Sequence, residues 1–242
     1  MRRILTLSLT LIFLASLLVA DSIAQHPQRR ATPRPDTVEH EPEAATAACP
    51  TDIAHCPPGG CGTGADSKLN SAKNRTDRPS GTIQPITLDQ IRSMSQPRSW
   101  PVNADRSPLV AQGEGKAVVL MGFLLRAKKE GAESCNCGIT GVENTDIHNV
   151  IVDDPNAIEA TSVTVEMTPR VRKNGHADWI QSKVKQFEDD FVRITGWLML
   201  DTQHISRPLV RATNWEIHPV MKFEHCTSTV ADCKAGHGWQ EF

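Results

Sequence analysis

Five segments with the composition of β-strands follow one another between Lys116 and Phe223, and their order constrains the fold more than any other feature. Each is rich in Val, Ile, Leu, Phe or Trp, which favour strands. A segment with helical spacing of its apolar residues separates the third strand from the fourth. The expected strands are Lys116–Lys128, Ile147–Val152, Ser162–Met167, Phe191–Leu200 and Trp215–Phe223, and the expected helix is Gly175–Phe187.

The order β-β-β-α-β-β is typical of the OB-fold, a small five-stranded barrel. Gly122 predicts a bend or bulge in the long first strand, and Pro219 predicts an edge position or a bulge in the last. A β-sandwich is the alternative, although it usually needs about seven strands. We therefore predict an all-β, OB-fold-like barrel with one helix over residues 115–225.

The N-terminus has the pattern of a signal peptide over residues 1–24. Arg2 and Arg3 precede an apolar run, and small residues end it at Ala24. The run is shorter than the roughly 20 residues of a membrane-spanning helix, although an uncleaved anchor is the alternative. We expect a periplasmic or secreted protein without a stable membrane span after cleavage.

The remaining chain divides by composition into three parts. Residues 25–82 are rich in Pro, Gly, Asn and Cys and are expected to be a disordered linker and a cysteine-rich segment that disulfides tie down. Residues 83–114 are expected to form a lead-in with a short helix at Thr87–Met94, in which Thr87 and Gln90 form a capping box. Residues 226–242 are expected to form a C-terminal tail.

The seven cysteines suit an oxidising compartment, where disulfides form. We predict a disulfide between Cys226 and Cys233. Cys135 and Cys137 are too close in sequence to bond each other easily, so one of them is expected to reach the segment 49–61. An odd number leaves at least one cysteine for another role. Zinc binding by these cysteines is the weaker alternative, because their spacing differs from that of common zinc motifs.

The charge and aromatic content argue against a nucleic-acid partner. The formal net charge is −2 and aromatic residues make up 5% of the chain, whereas such partners require phosphate neutralisation and base stacking. A small ligand or a cell-envelope component is the expected partner.

Acidic and histidine side chains lie in or beside four of the five predicted strands. Imidazole and carboxylate are common ligands of zinc and similar divalent metals, so these residues form a candidate polar site. Within it, His148, Glu166, His204 and His218 are candidate metal ligands. The alternatives are histidines with separate structural hydrogen bonds, or a His–carboxylate network that only locks the barrel. The full candidate site is Asp146, His148, Glu166, Asp201, His204, Glu216 and His218.

Four short motifs resemble those of an uncharacterised bacterial family of exported OB-fold-like proteins. They are Asp-x-His at 146–148, a Glu-bearing strand that ends at Pro169, the segment 196–204 that ends in Asp-x-x-His, and Glu-x-His-Pro-Val at 216–220. The resemblance covers about half of the chain and implies the fold and export, but no reaction. The chain also bears a looser resemblance to the thermonuclease type of OB-fold nuclease, but it lacks the combination of acids and paired arginines that those nucleases use.

Three functions are compatible with this sequence. The first is a non-catalytic binding domain for a small ligand or an envelope component. The second is a metal-dependent hydrolase of the phosphodiesterase or nuclease type that uses the His/Glu cluster. The third is an envelope-interaction protein whose cysteine-rich arm docks onto its partner. Convergence of the four candidate ligands within coordinating distance at a pocket would favour the metal-dependent hydrolase or a metal site. Their separation, or a backbone hydrogen bond to each of them, would disfavour both.

Overall fold

The computed structural model describes residues 49–205 and 210–242, so the expected signal peptide and the linker up to residue 48 lie outside the described residues. The strands are β1 (Gln84–Ile86), β2 (Ala117–Lys129), β3 (Ile147–Val152), β4 (Val163–Met167), β5 (Phe191–Leu200), β6 (Trp215–Cys226) and β7 (Trp239–Glu241). The helices are α1 (Ser67–Lys73), α2 (Leu88–Ser93), α3 (Ser107–Gln112), α4 (Pro169–Lys173), α5 (Gln181–Val184) and α6 (Val230–Lys234).

Five of the strands close into a barrel, which confirms the predicted fold class. Strand β2 pairs antiparallel with both β3 and β5, and β4 pairs antiparallel with β3. Strand β6 completes the ring by pairing parallel with β4 and antiparallel with β5. The short strands β1 and β7 extend the sheet beside β2 and β6.

Two glycines allow close approach between strands. A Cβ on Gly196 would lie 2.4 Å from the carbonyl oxygen of Pro219. The β5–β6 register shifts on both sides of Gly196, so the irregularity predicted from Pro219 is present. The shift between β2 and β3 falls between Leu124 and Arg126, slightly beyond Gly122. Gly122 instead makes room for Ile151, whose Cγ2 would lie 2.6 Å from an added Cβ.

The predicted helix over Gly175–Phe187 is only partly correct. Gly175 has a φ of 113°, which an α-helix does not accommodate, and regular helix begins at α5. A 3₁₀ turn at Lys185–Phe187 follows α5. Helix α2 matches its prediction, with the capping box between Thr87 and Gln90 present.

The strands place apolar residues on one face and polar residues on the other, because side chains alternate along a strand. Ile147, Val165 and Ile217 belong to the main apolar core of the barrel. Their neighbours His148, Glu166 and His218 therefore project from the opposite face. These polar residues are nevertheless buried, so other parts of the chain cover that face.

A cysteine-rich segment, residues 49–74, supplies part of this cover, and we call it the cap. Asp66 caps the N-terminus of its helix α1 by accepting hydrogen bonds from the backbone of Lys68 and Leu69. Disulfides join Cys49 to Cys61 within the cap and Cys56 to Cys137 in the loop between β2 and β3. This confirms the predicted link between that loop and the segment 49–61.

The C-terminal residues are tied to the barrel. The predicted disulfide between Cys226 and Cys233 is confirmed. Helix α6 follows the first of these cysteines, and β7 then pairs with the end of β6. The segment predicted as a tail therefore contributes a helix and a strand.

Candidate functional site

A layer of charged and polar side chains lies between the cap and the face of β3, β4 and β6 that points away from the apolar core. We call it the polar layer. The cap contributes Lys73, and two barrel loops contribute residues before β3 and before β6. The members of the polar layer are Lys73, Glu130, Glu133, Cys135, Asn136, Asp146, His148, Thr164, Glu166, Asp201, His204, Arg211, Glu216 and His218.

Asp146, Glu166 and His218 meet at the centre of the polar layer. The Nδ1 atom of His218 lies 3.2 Å from Oε2 of Glu166, and its Nε2 atom lies 3.5 Å from Oδ2 of Asp146. The pairing of Val165 with Ile217 sets this contact, because it aligns the polar faces of β4 and β6. All three side chains are at least 96% buried. We call these three residues the central trio.

A carboxylate behind His218 fixes the orientation of its ring. Nδ1 of His218 lies 3.2 Å from Oε1 of Glu216. The other oxygen of Glu216 accepts a hydrogen bond of 3.0 Å from Arg211. With the Nδ1 hydrogen donated to Glu216, the lone pair of Nε2 is directed towards Asp146. Histidines that bind metals are usually oriented by such a carboxylate.

Three atoms of the central trio are buried without a hydrogen-bond partner among the residues that the structure describes. They are Oδ2 of Asp146, Oε2 of Glu166 and Nε2 of His218. Buried polar atoms rarely stay unsatisfied in folded proteins. The separation of 3.5 Å between Nε2 of His218 and Oδ2 of Asp146 exceeds a normal hydrogen bond. It is close to the roughly 3.4 Å that separates two ligands on a tetrahedral zinc ion.

A second group of candidate ligands shares Asp146 with the central trio. Oε2 of Glu133 lies 3.2 Å from the thiol sulfur of Cys135, and Oε1 of Glu133 accepts a hydrogen bond of 3.2 Å from Lys73. In each group, Glu133–Cys135–Asp146 and Asp146–Glu166–His218, the donor atoms lie within 4.8 Å of one another. Both groups therefore have donors spaced closely enough for a metal ion.

The other predicted ligands, His148 and His204, have different partners. Nδ1 of His148 pairs with Glu130, and its Nε2 lies 2.7 Å from the hydroxyl of Thr164. Nδ1 of His204 pairs with Asp201. Of the four predicted metal ligands, Glu166 and His218 thus lie together, with Asp146 as their third member.

Arg211 connects the remaining members of the predicted polar site. Its guanidinium donates to Asp201 at 3.1 Å and to Glu216 at 3.0 Å. It also lies 3.4 Å from Nε2 of His148. The seven predicted site residues therefore belong to one connected layer, although they do not form one ligand set.

The surroundings of the central trio disfavour negative charge on its carboxylates. Burial raises the pKa of Asp146 to about 6, and repulsion from Glu133 adds to this effect. Burial also raises the pKa of Glu166 well above its ordinary value, with repulsion from Glu216 as the next cause. Both carboxylates thus lie where a positive charge would be stabilised.

The outer carboxylates have cations beside them and stay ionised. Burial opposes the charge on Glu133, but Lys73 lowers the pKa of that carboxyl to about 2. Burial likewise opposes the charge on Asp201, yet His204 and Lys73 hold its pKa well below its ordinary value. The cations of the polar layer are therefore largely engaged by its outer acids.

The sequence analysis did not identify Lys73, Glu133 and Arg211, which lie outside the predicted strands in the cap and in two loops. A single lysine or glutamate in such a segment is normally exposed, so no local signal marked them. Cys135 did leave a signal, because an odd number of cysteines required one of them to stay out of the disulfides.

The position of the polar layer is where OB-folds commonly bind ligands, namely the face of the second and third barrel strands and the loops beside it. Here the cap reaches the polar layer through Lys73, which donates a hydrogen bond to Glu133. A surface cavity of about 240 Å³ lies elsewhere, lined by residues that include Gln84, Gln90, Gln112 and Lys116. None of the polar-layer residues lines that cavity.

The chain matches no known family model, and no curated protein is significantly similar to it. Within the described residues, no helix has the length and apolar character needed to cross a bilayer.

Proposed function

We propose that this protein is an exported, non-catalytic binding domain whose ligand is a divalent metal ion held by Asp146, Glu166 and His218. Two observations carry the proposal: each member of the central trio has a buried, unsatisfied donor atom among the described residues, and the three residues place donor atoms within 4.8 Å of one another. Two carboxylates and one imidazole form a ligand set that suits zinc and similar divalent ions.

Charge supports this assignment. Glu133, Asp146, Glu166 and Glu216 are buried together, while Lys73 pairs with Glu133 and Arg211 with Glu216. Ionised carboxylates are costly to bury without a partner. Asp146 and Glu166 are the two of these carboxylates that pair with neither Lys73 nor Arg211. A divalent cation between them would neutralise their charges.

Burial favours a binding role over hydrolysis. A catalytic metal needs an open coordination position that a substrate reaches. The members of the central trio are only 1%, 4% and 0% exposed in the order Asp146, Glu166 and His218. The cap also contributes Lys73, which is 1% exposed, to the polar layer on this face. A metal ion enclosed in this way would stabilise the domain, or the domain would store the ion.

Export is supported by the three disulfides and by the signal-like N-terminal sequence. Disulfides persist in the periplasm and outside the cell and are rare in the cytosol. We place the protein in the periplasm or the extracellular space.

Metal analysis of the purified protein tests the proposal. Native protein should contain at least one divalent metal ion per chain. His218→Gln should lose that metal while keeping the circular dichroism of the barrel. His237→Gln is the matched control, because His237 is exposed and outside the polar layer. Native protein without stoichiometric metal, and with no uptake after incubation with Zn²⁺, would refute the proposal.

A further inference from the structure

The seventh cysteine is buried in the polar layer and outside the disulfides. The other six form three disulfides, whereas Cys135 keeps its thiol and is 1% exposed. It is adjacent in space to the carboxylate of Glu133 and belongs to the donor group Glu133–Cys135–Asp146. An exported thiol that is kept reduced beside two carboxylates has the chemistry of a metal ligand.

The backbone around Cys135 is held firmly in place. Its carbonyl oxygen accepts a hydrogen bond of 2.7 Å from the side chain of Asn74 in the cap. Two residues later, Cys137 is bonded to Cys56 of the cap. The backbone that carries the Cys135 side chain is thus fixed before any ion binds, as an effective metal site requires.

Asp146 links this donor group to the central trio. Its Oδ1 atom accepts a hydrogen bond of 3.0 Å from Asn136, which fixes the carboxylate plane. Its Oδ2 atom is buried without a hydrogen-bond partner among the described residues and lies 3.5 Å from His218. A carboxylate has about four lone-pair sites, so Asp146 has the capacity to bind two ions at once.

We infer that a second divalent cation binds between Glu133, Cys135 and Asp146, so that Asp146 bridges a two-metal centre. This inference rests on the proposed function, since it adds a position to the same site. Binding converts the Cys135 thiol to a thiolate and releases its proton to solvent, without any change in oxidation state. The thiolate selects a thiophilic ion such as Zn²⁺ over Mg²⁺ or Ca²⁺, which prefer oxygen ligands.

The competing explanation is a structural thiol. In that case Cys135 donates a hydrogen bond to Glu133 at all times, and the protein binds its metal through the central trio alone. The two explanations differ in how many ions bind and in whether sulfur is a ligand.

Cobalt titration of the full mature chain distinguishes them. The protein is stripped of metal by a chelator without reductant, so that its disulfides stay intact, and Co²⁺ is then added in place of Zn²⁺. We expect about two equivalents to bind, as in other two-metal sites. The near-ultraviolet absorption of a cobalt–thiolate bond should appear with one of them.

Two variants show whether Cys135 is the source of that absorption. Cys135→Ser should lose the thiolate band and bind half as much Co²⁺ as the native chain. The matched control, Cys226→Ser with Cys233→Ser, removes the disulfide between the end of β6 and helix α6. Neither cysteine belongs to the polar layer, so this variant should keep the thiolate band and bind as much Co²⁺ as the native chain. The native spectrum decides the question even if Cys135→Ser fails to fold.

Binding of a single equivalent without a thiolate band would overturn the inference and leave the proposed function standing. Binding of no metal at all would overturn both.

Discussion

The disulfide between Cys56 and Cys137 joins the cap to the loop that carries Glu133 and Cys135. Its cysteines are 81 residues apart in sequence, whereas Cys226 and Cys233 are 7 apart. Replacing both members of a pair by serine releases the corresponding loop in the unfolded chain. The loop-entropy estimate is a loss of about 4.5 kcal/mol for the first pair and about 2.4 kcal/mol for the second.

We therefore expect the Cys56–Cys137 variant to lose about 2 kcal/mol more unfolding free energy than the Cys226–Cys233 variant. Cys56 and Cys137 are both about 2% exposed, whereas in the other pair only Cys233 is buried. The first variant therefore buries one more serine hydroxyl, which increases the difference further. Urea unfolding under non-reducing conditions measures these free energies, provided that circular dichroism and tryptophan fluorescence give coincident transitions.

Equal losses of unfolding free energy in the two variants would show that the long loop adds nothing to the stability of the protein. Such a result would mean that the cap comes away from the barrel before the barrel unfolds. Limited proteolysis would then cleave residues 49–74 of the native protein while the barrel stayed intact. We instead expect cap and barrel to unfold together, because the buried polar layer lies between them.

Three further substitutions test particular contacts. Lys73→Met should destabilise the protein by about 3–5 kcal/mol, because Glu133 stays buried without its cation. Adding Glu133→Gln should restore part of that stability. If chemical denaturation showed that the losses of the two single variants simply add, the pairing of Lys73 with Glu133 would be contradicted. Asp201 raises the pKa of His204, so the stability advantage of native protein over His204→Gln should be complete below about pH 6.5 and vanish as the pH rises through the raised pKa. An advantage that grows with pH in urea unfolding would contradict this. Gly196→Ala should cost about 1–3 kcal/mol through overpacking against a backbone carbonyl 2.4 Å away, and an unchanged melting temperature would argue against that close approach.

The barrel was predictable from sequence because strand pattern is a local property. Phe191–Leu200 was predicted with its observed bounds, and Ile147–Val152 likewise. The prediction of a helix over Gly175–Phe187 is wrong in its first half. It relied on the helical spacing of apolar residues such as Trp179 and Ile180 and gave too little weight to Gly175. The positive φ of Gly175 ends any helix there.

The polar site was predictable only in its strand residues. Glu166 and His218 lie on faces that alternation identifies, so the sequence indicated that they point away from the apolar core. Their meeting with Asp146 depends on the parallel pairing of β4 with β6, which no local pattern specifies. His148 and His204 have the same residue type as His218, but their contacts with Glu130 and Asp201 could be found only in three dimensions.

The disulfide link between the cap and the loop before β3 was predictable, because the sequence analysis expected a cysteine-rich segment that disulfides tie down. Helix α1 and its docking onto the polar layer were not predictable, because they depend on contacts between distant parts of the chain. Lys73 became a buried member of the site through such docking. One lysine on a short helix gives no sign of this in the sequence.

Asp146, Glu166 and His218 should surround a metal ion, and anomalous X-ray diffraction at the zinc edge, from crystals of native protein grown with Zn²⁺, would locate it. We expect an anomalous peak about 2.0–2.2 Å from a donor atom of each of these residues. Well-ordered side chains with no anomalous peak between them, and with His218 hydrogen-bonded directly to both carboxylates, would contradict it.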